Sequence, residues 1–482
     1  MRSLYLVILI ILSSPTFAQI TFQRNYGTVY EETAYAAQQT SDGGFIVAGE
    51  MSGGQIRDIY LVKTDEWGDT IWTRIYPRNW SEYAKAVLEL SDGFIVAGSA
   101  VTSLGPSRTD VYLLKTNNQG DTIWTKTIGG LYNEQAFDIK ATSDGGLIIG
   151  GQADDNTGQV YFYLVKTDHL GDVTWSKKFG ISIEERAYGT AVQQTSDGGF
   201  IMTGYIDDYT IGTGTGYIYV VKTDNLGVVE WTESYDWSDY EVAYAVEEIS
   251  DGYVLAGRTY SMGAGSTDAL MMKIDFLGDL VWTKTYGDTL GELAYALEKT
   301  PDNGFILSGV TYSSGAGSGD FYLIKTDANG DTMWTRTFGG THREEAYSVK
   351  QTSDGGYLLA GYTYSYSVGG SDFYCVKTDG NGLVPIKIQK DQTIIRDYKL
   401  FQNYPNPFNP TTKISWQLPV GSLVDLSVYN ITGERIVTLV NRNYPAGFHT
   451  FEWNALKLAS GVYWYKLQAG DYVEVKKMIL IR

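Results

Sequence analysis

AYALEKTPDNGFILSGVTYSSGAGSGDFYLIKTDANGDTMWTRTFGG, residues 294–340, decides how the chain folds. Residues 294–300 half-alternate apolar and polar side chains, and Pro301-Asp302-Asn303-Gly304 is turn chemistry. Residues 305–312 form the continuous apolar run of a strand buried on both faces, followed by a Gly/Ser loop. Residues 320–327 alternate, Asn329-Gly330 turns the chain, and residues 331–338 alternate again with Trp334 and Phe338 on one face. The stretch therefore reads as four antiparallel strands, with no helical period.

The same unit occurs seven times. Ser-Asp-Gly-Gly-Phe at 41–45 returns with drift at Asp92, Asp144, Asp197, Asp251, Asp302 and Asp354, at spacings of 50 to 54 residues. Glu-x-Ala-Tyr returns at Ala34, Ala84, Ala136, Ala187, Ala243, Ala294 and Ala346. Lys-Thr-Asp-x-x-Gly-Asp returns at Lys63, Lys115, Lys166, Lys222, Lys273, Lys325 and Lys377. Four-stranded repeats of this length predict an all-β, seven-bladed β-propeller over residues 19–379. The ends support it. After Gly382 the seventh repeat lacks its fourth strand, and residues 22–27 (FQRNYG) align with residues 334–339 (WTRTFG). An N-terminal strand is thus expected to complete the last blade, with Phe22 standing where other repeats have Trp72, Trp124, Trp175, Trp231, Trp282 and Trp334.

Composition narrows the function. The 482 residues carry a net charge of −19, one Cys and three His. One cysteine excludes an intramolecular disulfide, and Cys375, at a third-strand position held elsewhere by Leu, reads as core. Three scattered histidines offer no His-based metal site, and the acidic balance argues against nucleic acid. Met1-Arg2, the apolar run Leu4 to Leu12 and Thr16-Phe17-Ala18 read as a signal peptide cut after Ala18. No later stretch approaches the ~20 apolar residues of a membrane span.

Binding is expected on the loops that vary between repeats. Three residues past the Gly that ends the second strand stand Tyr260, Tyr312 and Tyr364 in repeats 5 to 7, but Asp154 and Asp207 in repeats 3 and 4. Each of those aspartates is followed by another, Asp155 and Asp208. Repeats 3 and 4 also replace an Asp before the third strand (Asp58, Asp110, Asp268, Asp320, Asp372) with Tyr161 and Tyr217. Loops entering the first strands bear Tyr30, Trp80, Tyr132, Trp237 and Tyr240. Aromatic faces beside carboxylates suit carbohydrate stacking, and Asp154, Asp155, Asp207 and Asp208 would suit calcium, the one cofactor the chain invites. The recurring Glu (Glu32, Glu82, Glu134, Glu185, Glu241, Glu292, Glu344) reads as an acceptor for loop N–H groups.

No Gly-x-Ser-x-Gly, His-Glu-x-x-His or P-loop is present, and no catalytic residue can be assigned. Asp65 to Trp72 and Asp327 to Trp334 resemble the Asp box of sialidase-like propellers, which in that family is structural, with the spacing off by one on each side of the Gly. Two classes of function remain: a non-catalytic module binding a glycan or protein, or a polysaccharide hydrolase or lyase using carboxylates on the variable loops.

Residues 380–398 read as a linker without repeat markers, and beyond them the charge changes sign. Residues 19–379 hold 24 basic and 49 acidic residues, a balance of −25, whereas 399–482 hold 9 and 5, a balance of +4. Short alternating segments there predict a small Ig-like β-sandwich. Within it stand Asn403-Tyr404-Pro405-Asn406-Pro407-Phe408-Asn409-Pro410, then Val428-Tyr429-Asn430 with Gly433, then Gly461-Val462-Tyr463, and finally Lys476-Lys477-Met478. In order and at the chain end, these closely resemble the type A C-terminal sorting domain of the type IX secretion system. The resemblance implies a bacterium of the Bacteroidota or a related phylum, passage through the periplasm, and transport across the outer membrane. It also implies handling by the type IX machinery and its C-terminal processing enzyme, with release from the cell or attachment to its surface.

Overall fold

The computed structural model describes residues 19–384 and 398–481, apart from 54–55, 79, 103–107, 181–184, 209–214, 368, 404, 420, 445–446 and 457. The leader read over 1–18 and most of the linker read over 380–398 lie outside them. The chain divides into two compact units, Met1–Pro385 and Ile386–Arg482. Among the described residues no helix is long and apolar enough to cross a membrane.

The first unit holds seven four-stranded antiparallel sheets. In the sixth, the strands are Glu292–Lys299, Phe305–Thr311, Asp320–Thr326 and Thr332–Phe338, in that order from inside to outside. Six sheets use consecutive strands. The seventh joins Glu344–Gln351, Tyr357–Thr363 and Asp372–Thr378 to Phe22–Tyr26, in a register running from Phe22 opposite Lys377 to Tyr26 opposite Phe373. Each inner strand touches the inner strands on either side, and the circuit closes from Glu344–Gln351 back to Glu31–Gln39. The arrangement is propeller-like.

Seven apolar seams, one between each pair of neighbouring sheets, hold this ring. Phe22, Tyr26, Phe45, Tyr60, Phe373 and the buried Cys375 fill the seam between the seventh sheet and the first. Because seams lie on both sides, the third strand, read as alternating, is buried throughout (Asp320–Thr326). In the outer strand Thr332–Phe338 the face carrying Trp334 and Phe338 is the more buried one.

The repeat markers prove to be joints. Each Lys of Lys-Thr-Asp reaches the Asp of its own sheet's first turn: Lys63–Asp42, Lys115–Asp92, Lys166–Asp144, Lys222–Asp197, Lys273–Asp251, Lys325–Asp302 and Lys377–Asp354, all at 2.5–3.0 Å. Six of the lysines are buried and Lys273 is partly buried, whereas the aspartates are exposed, so the bridge chiefly spares a desolvated ammonium from being unpaired. The next Asp caps the hairpin, as Asp327 Oδ1 accepts the N–H groups of Asn329 and Asp331. The hairpin Gly that follows has positive φ, and the outer-strand aromatic of the preceding sheet lies against it. Trp72 covers Gly120, Trp282 covers Gly330 and Trp334 covers Gly382, while Phe22 covers Gly68 and completes the circuit.

The second unit pairs a three-stranded sheet (Lys399–Leu400, Thr411–Leu418, Gly447–Asn454) with a four-stranded one (Arg435–Tyr444, Ser422–Tyr429, Gly461–Ala469, Tyr472–Leu480) around Trp416, Tyr465, Phe408 and Trp453. Asn406 and Phe408 lie along the last strand. Asn406 Oδ1 accepts Ile479 N–H at 2.9 Å, Phe408 N–H donates to Ile479 O at 2.9 Å, and Asn403 Nδ2 donates to Thr412 Oγ1 at 2.9 Å and Pro405 O at 3.1 Å. Gly433 takes φ +82° in a turn capped by Asn430. Tyr463 donates to Ala459 O, Val462 is half-exposed, and Lys476 pairs with Glu474 beside the exposed Lys477.

Candidate functional site

The seven inner strands surround a cavity of about 780 Å³. Each of them carries a β-bulge at one equivalent place, skipping Tyr35, Lys85, Phe137, Thr190, Tyr244, Tyr295 and Tyr347 in turn. A bulge bends the strand and re-aims the extra residue, and all seven of these residues line the cavity. Opposite every bulge sits a glycine: Gly49, Gly98, Gly151, Gly204, Gly257, Gly309 and Gly361. A Cβ on any of them would overlap a carbonyl oxygen of the inner strand. The glycine that marks the second strand in every repeat is thus what lets the bulge form.

This register corrects the reading of the fourth repeat. Gly189 lies opposite Gly204 as Ala136 lies opposite Gly151, so Glu185-Arg186-Ala187-Tyr188 sits two residues earlier on its strand than its counterparts. The inner strand Glu185–Gln194 absorbs two extra residues, visible in the sequence as 12 positions from Glu185 to Asp197 against 10 from Glu134 to Asp144. Ala187 occupies the place of the recurring Glu, and Tyr188 stacks on Tyr205, ring centroids 4.9 Å apart.

Along the wall the rings touch in series. Tyr35 stacks on Tyr347 at 5.2 Å, Tyr347 meets Tyr295 at 4.9 Å, and Tyr295 meets Tyr244 at 5.1 Å. Lys85 Nζ lies 3.2 Å from the centroid of Tyr35. Glu345, 2 % exposed, accepts hydrogen bonds from Arg343 Nε at 2.6 Å, Tyr347 at 2.9 Å and Tyr295 at 3.3 Å. Glu50 accepts Tyr35 at 3.2 Å and pairs with Arg57. Further along the same strands, Lys140 pairs with Asp138 at 2.6 Å and Lys350 with Glu298 at 3.5 Å. Burial pushes the Tyr35, Tyr295 and Tyr347 phenols above their ordinary range, so they stay neutral donors, and it pushes Lys85 down to about 8.

The loop tyrosines picked out by sequence join this wall. Tyr364 packs edge-on against Tyr362 at 5.6 Å, which in turn meets Tyr347 at 6.0 Å. The Tyr312 hydroxyl accepts Arg343 at 2.9 Å, and Tyr260, 42 % exposed, packs edge-on against Tyr240 at 6.2 Å. Tyr240 donates to Asp207. Trp237 stacks on Tyr235 at 6.3 Å against an apolar seam, and Trp80 stands exposed before the second sheet. Asp154 Oδ2 accepts Asn133 Nδ2 at 2.8 Å. Asp155 holds its own turn, accepting Thr157 N–H at 2.7 Å and the Tyr161 hydroxyl at 2.9 Å, and these bonds, led by the Thr157 hydroxyl, lower its pKa to about 2. Asp208 lies opposite Thr215 in the ladder. Among the described residues no group of three or more His, Cys, Asp or Glu side chains could hold a metal ion.

The recurring Glu does bind loop N–H groups. Glu292 accepts Asp288 and Ser313, and Glu344 accepts Gly340 and Ser365, all at 2.9–3.2 Å. Sequence reasoning passed over the Tyr three residues further on. Its presence in five of the seven Glu-x-Ala-Tyr copies was the available signal, but nothing local shows that a bulge turns it inward.

Residues 402–481 match the family model of the secretion system C-terminal sorting domain. This tail implies export by the type IX system, and the protein is accordingly secreted or on the cell surface. No curated protein matches the sequence. Among solved structures, PorZ, a surface component of the type IX secretion system of Porphyromonas gingivalis, is similar at 11% identity over 92% of this chain and 69% of its own, with a TM-score of 0.31. Sqt1 from Chaetomium thermophilum is 11% identical over 73% of this chain and 99% of its own, with a TM-score of 0.41. A subtype N11 neuraminidase-like protein of A/flat-faced bat/Peru is 9% identical over 76% of this chain and 96% of its own, with a TM-score of 0.36. Likeness at these values bears on neither ligand nor activity.

Proposed function

We propose that the chain is a secreted or cell-surface carbohydrate-binding protein. In this reading residues 1–18 are a signal peptide, residues 19–379 a seven-bladed β-propeller fastened by its N-terminal strand, and residues 399–482 an Ig-like sorting domain recognised by the type IX machinery. The observation that supports binding is the wall of bulge-borne rings around the 780 Å³ cavity, a volume within the ~300–1,000 Å³ of small-ligand sites. Sugars present C–H faces that stack on such rings, and neutral phenols and amides such as Gln38 and Gln152 offer hydrogen bonds for hydroxyls.

Calorimetric titration of the exported chain with oligosaccharide hexamers tests the reading. Stoichiometric binding that weakens at least ~10-fold in Tyr295→Leu, about 1.4 kcal/mol, is expected. Absence of binding across neutral and acidic series would refute it, and release of shorter sugars would mark a hydrolase or lyase instead.

A further inference from the structure

The cations on the cavity wall (Lys85, Lys140, Lys350) and those packed beside its tyrosines (Arg57, Arg258, Arg343) are not alike. Arg57 pairs with Glu50, Arg343 with Glu345, Lys140 with Asp138 and Lys350 with Glu298. Two others lie over rings without an ion pair, although Glu50, already paired with Arg57, acts on Lys85 from beyond ion-pair distance. Lys85 holds its ammonium over Tyr35 and has no carboxylate within ion-pair distance among the described residues. Arg258 lies 5.5–5.9 Å from the ring centroids of Tyr240, Tyr244 and Tyr260 and likewise has no carboxylate partner among them, and its buried Nε has no hydrogen-bond partner. In a ring that carries 49 acidic residues against 24 basic ones, an unpaired cation on a wall is unusual. Lys85 is a bulge residue that lines the cavity, and Arg258, next to Gly257, packs against Tyr244, which lines it.

Resting on the carbohydrate reading above, we infer that the cavity selects acidic saccharides, with Lys85 at the Tyr35 end of the aromatic series and Arg258 at the Tyr244 end each binding the anionic group of a different sugar residue, whose ring stacks on the neighbouring tyrosines. An ammonium or guanidinium held on a ring face keeps donors free for a carboxylate or sulfate, and a charge-assisted hydrogen bond there is about twice as strong as a neutral one. Partial burial strengthens the attraction by removing competing water, and it already weighs on the Lys85 ammonium. The negative body of the ring opposes an acidic ligand only weakly at close range, since exposed charges are screened beyond ~8 Å at physiological salt.

The test titrates the exported chain with hexamers of galacturonate, of sulfated galactose and of glucose at 0.15 M salt, alongside Lys85→Gln, Lys85→Arg and Arg258→Gln. Preference for an acidic series over glucose by ~10-fold or more, lost in Lys85→Gln and Arg258→Gln and largely kept in Lys85→Arg, is expected. The ratio between the galacturonate and sulfate arms assigns the group. Equal affinity for glucose hexamers, or selectivity unchanged in both Gln variants, overturns the inference and leaves the carbohydrate reading standing. No binding to any hexamer overturns both. Wild-type selectivity decides the matter if a variant melts at a much lower temperature.

Discussion

Replacing Phe22 with Ala attacks the ring where no peptide bond closes it. Phe22 is 5% exposed, packs edge-on against Phe45 at 5.6 Å, and covers Gly68 of the first sheet from a strand belonging to the seventh. Emptying a buried Phe site costs about 3–5 kcal/mol. An unfolding entropy of ~2.1 cal/mol/K per residue gives roughly 0.76 kcal/mol/K for the ring, so the melting temperature should fall by about 4–7 °C. Scanning calorimetry of the exported chain measures this. A second variant, Phe22→Trp, supplies the side chain that Trp72 and Trp282 supply over Gly120 and Gly330, and should lose less than Phe22→Ala. A shift below 1 °C in Phe22→Ala would mean that the N-terminal strand does not fasten the ring.

Three more perturbations follow from the joints and seams. Lys bridges and turn N–H groups hold Asp197 and Asp302 at about 2, below their unfolded values, so stability present above pH ~4 should decline as pH falls toward 2; urea midpoints across that range check it. Glu82, its side chain 1% exposed, is pushed up to about 7 by burial, which costs stability as pH rises from ~4.5 to 7; Glu82→Gln should therefore raise the unfolding free energy at pH 8, by at most about 3 kcal/mol, and with it the melting point, but not at pH 4. Gly309→Ala puts a methyl into the Leu293 carbonyl and should destabilise more than Gly43→Ala, where open space leaves only positive-φ strain of about 1–2 kcal/mol; paired thermal melts compare them.

The sheets were legible because each marker is a joint that the geometry demands. Asp302 and Lys325 recur since they bind each other, and Gly330 recurs since Trp282 rests on it. The complementary chain ends were legible for the same reason, as Phe22 repeats the Trp pattern at the far end of the chain. The channel was not. Whether Tyr295 faces a core or a cavity depends on a bulge whose signature is split between two strands, Ala294-Tyr295 on one and Gly309 on the other. The slip of Glu185 was likewise hidden, because a two-residue insertion can be taken up anywhere between Glu185 and Asp197, and only pairing with Gly204 locates it. Isolated loop residues fared unevenly: Tyr364 and Tyr312 are tied to the channel through Tyr362 and Arg343, whereas Asp155 serves its own turn.

The fastening strand also sets a timetable. Phe22 pairs with Lys377, and Gln19 is stitched by its side chain to Asp354 O and Gly380 N–H. One of the ring's first segments must therefore wait for one of its last before either can settle, the pair Phe22 and Lys377 lying 355 residues apart in an otherwise locally paired ring. Until residue 377 is available, the first strand has no partner and the ring keeps two open edges. Hydrogen exchange on chains arrested before and after residue 378 should show protection of the inner strands arriving late and together.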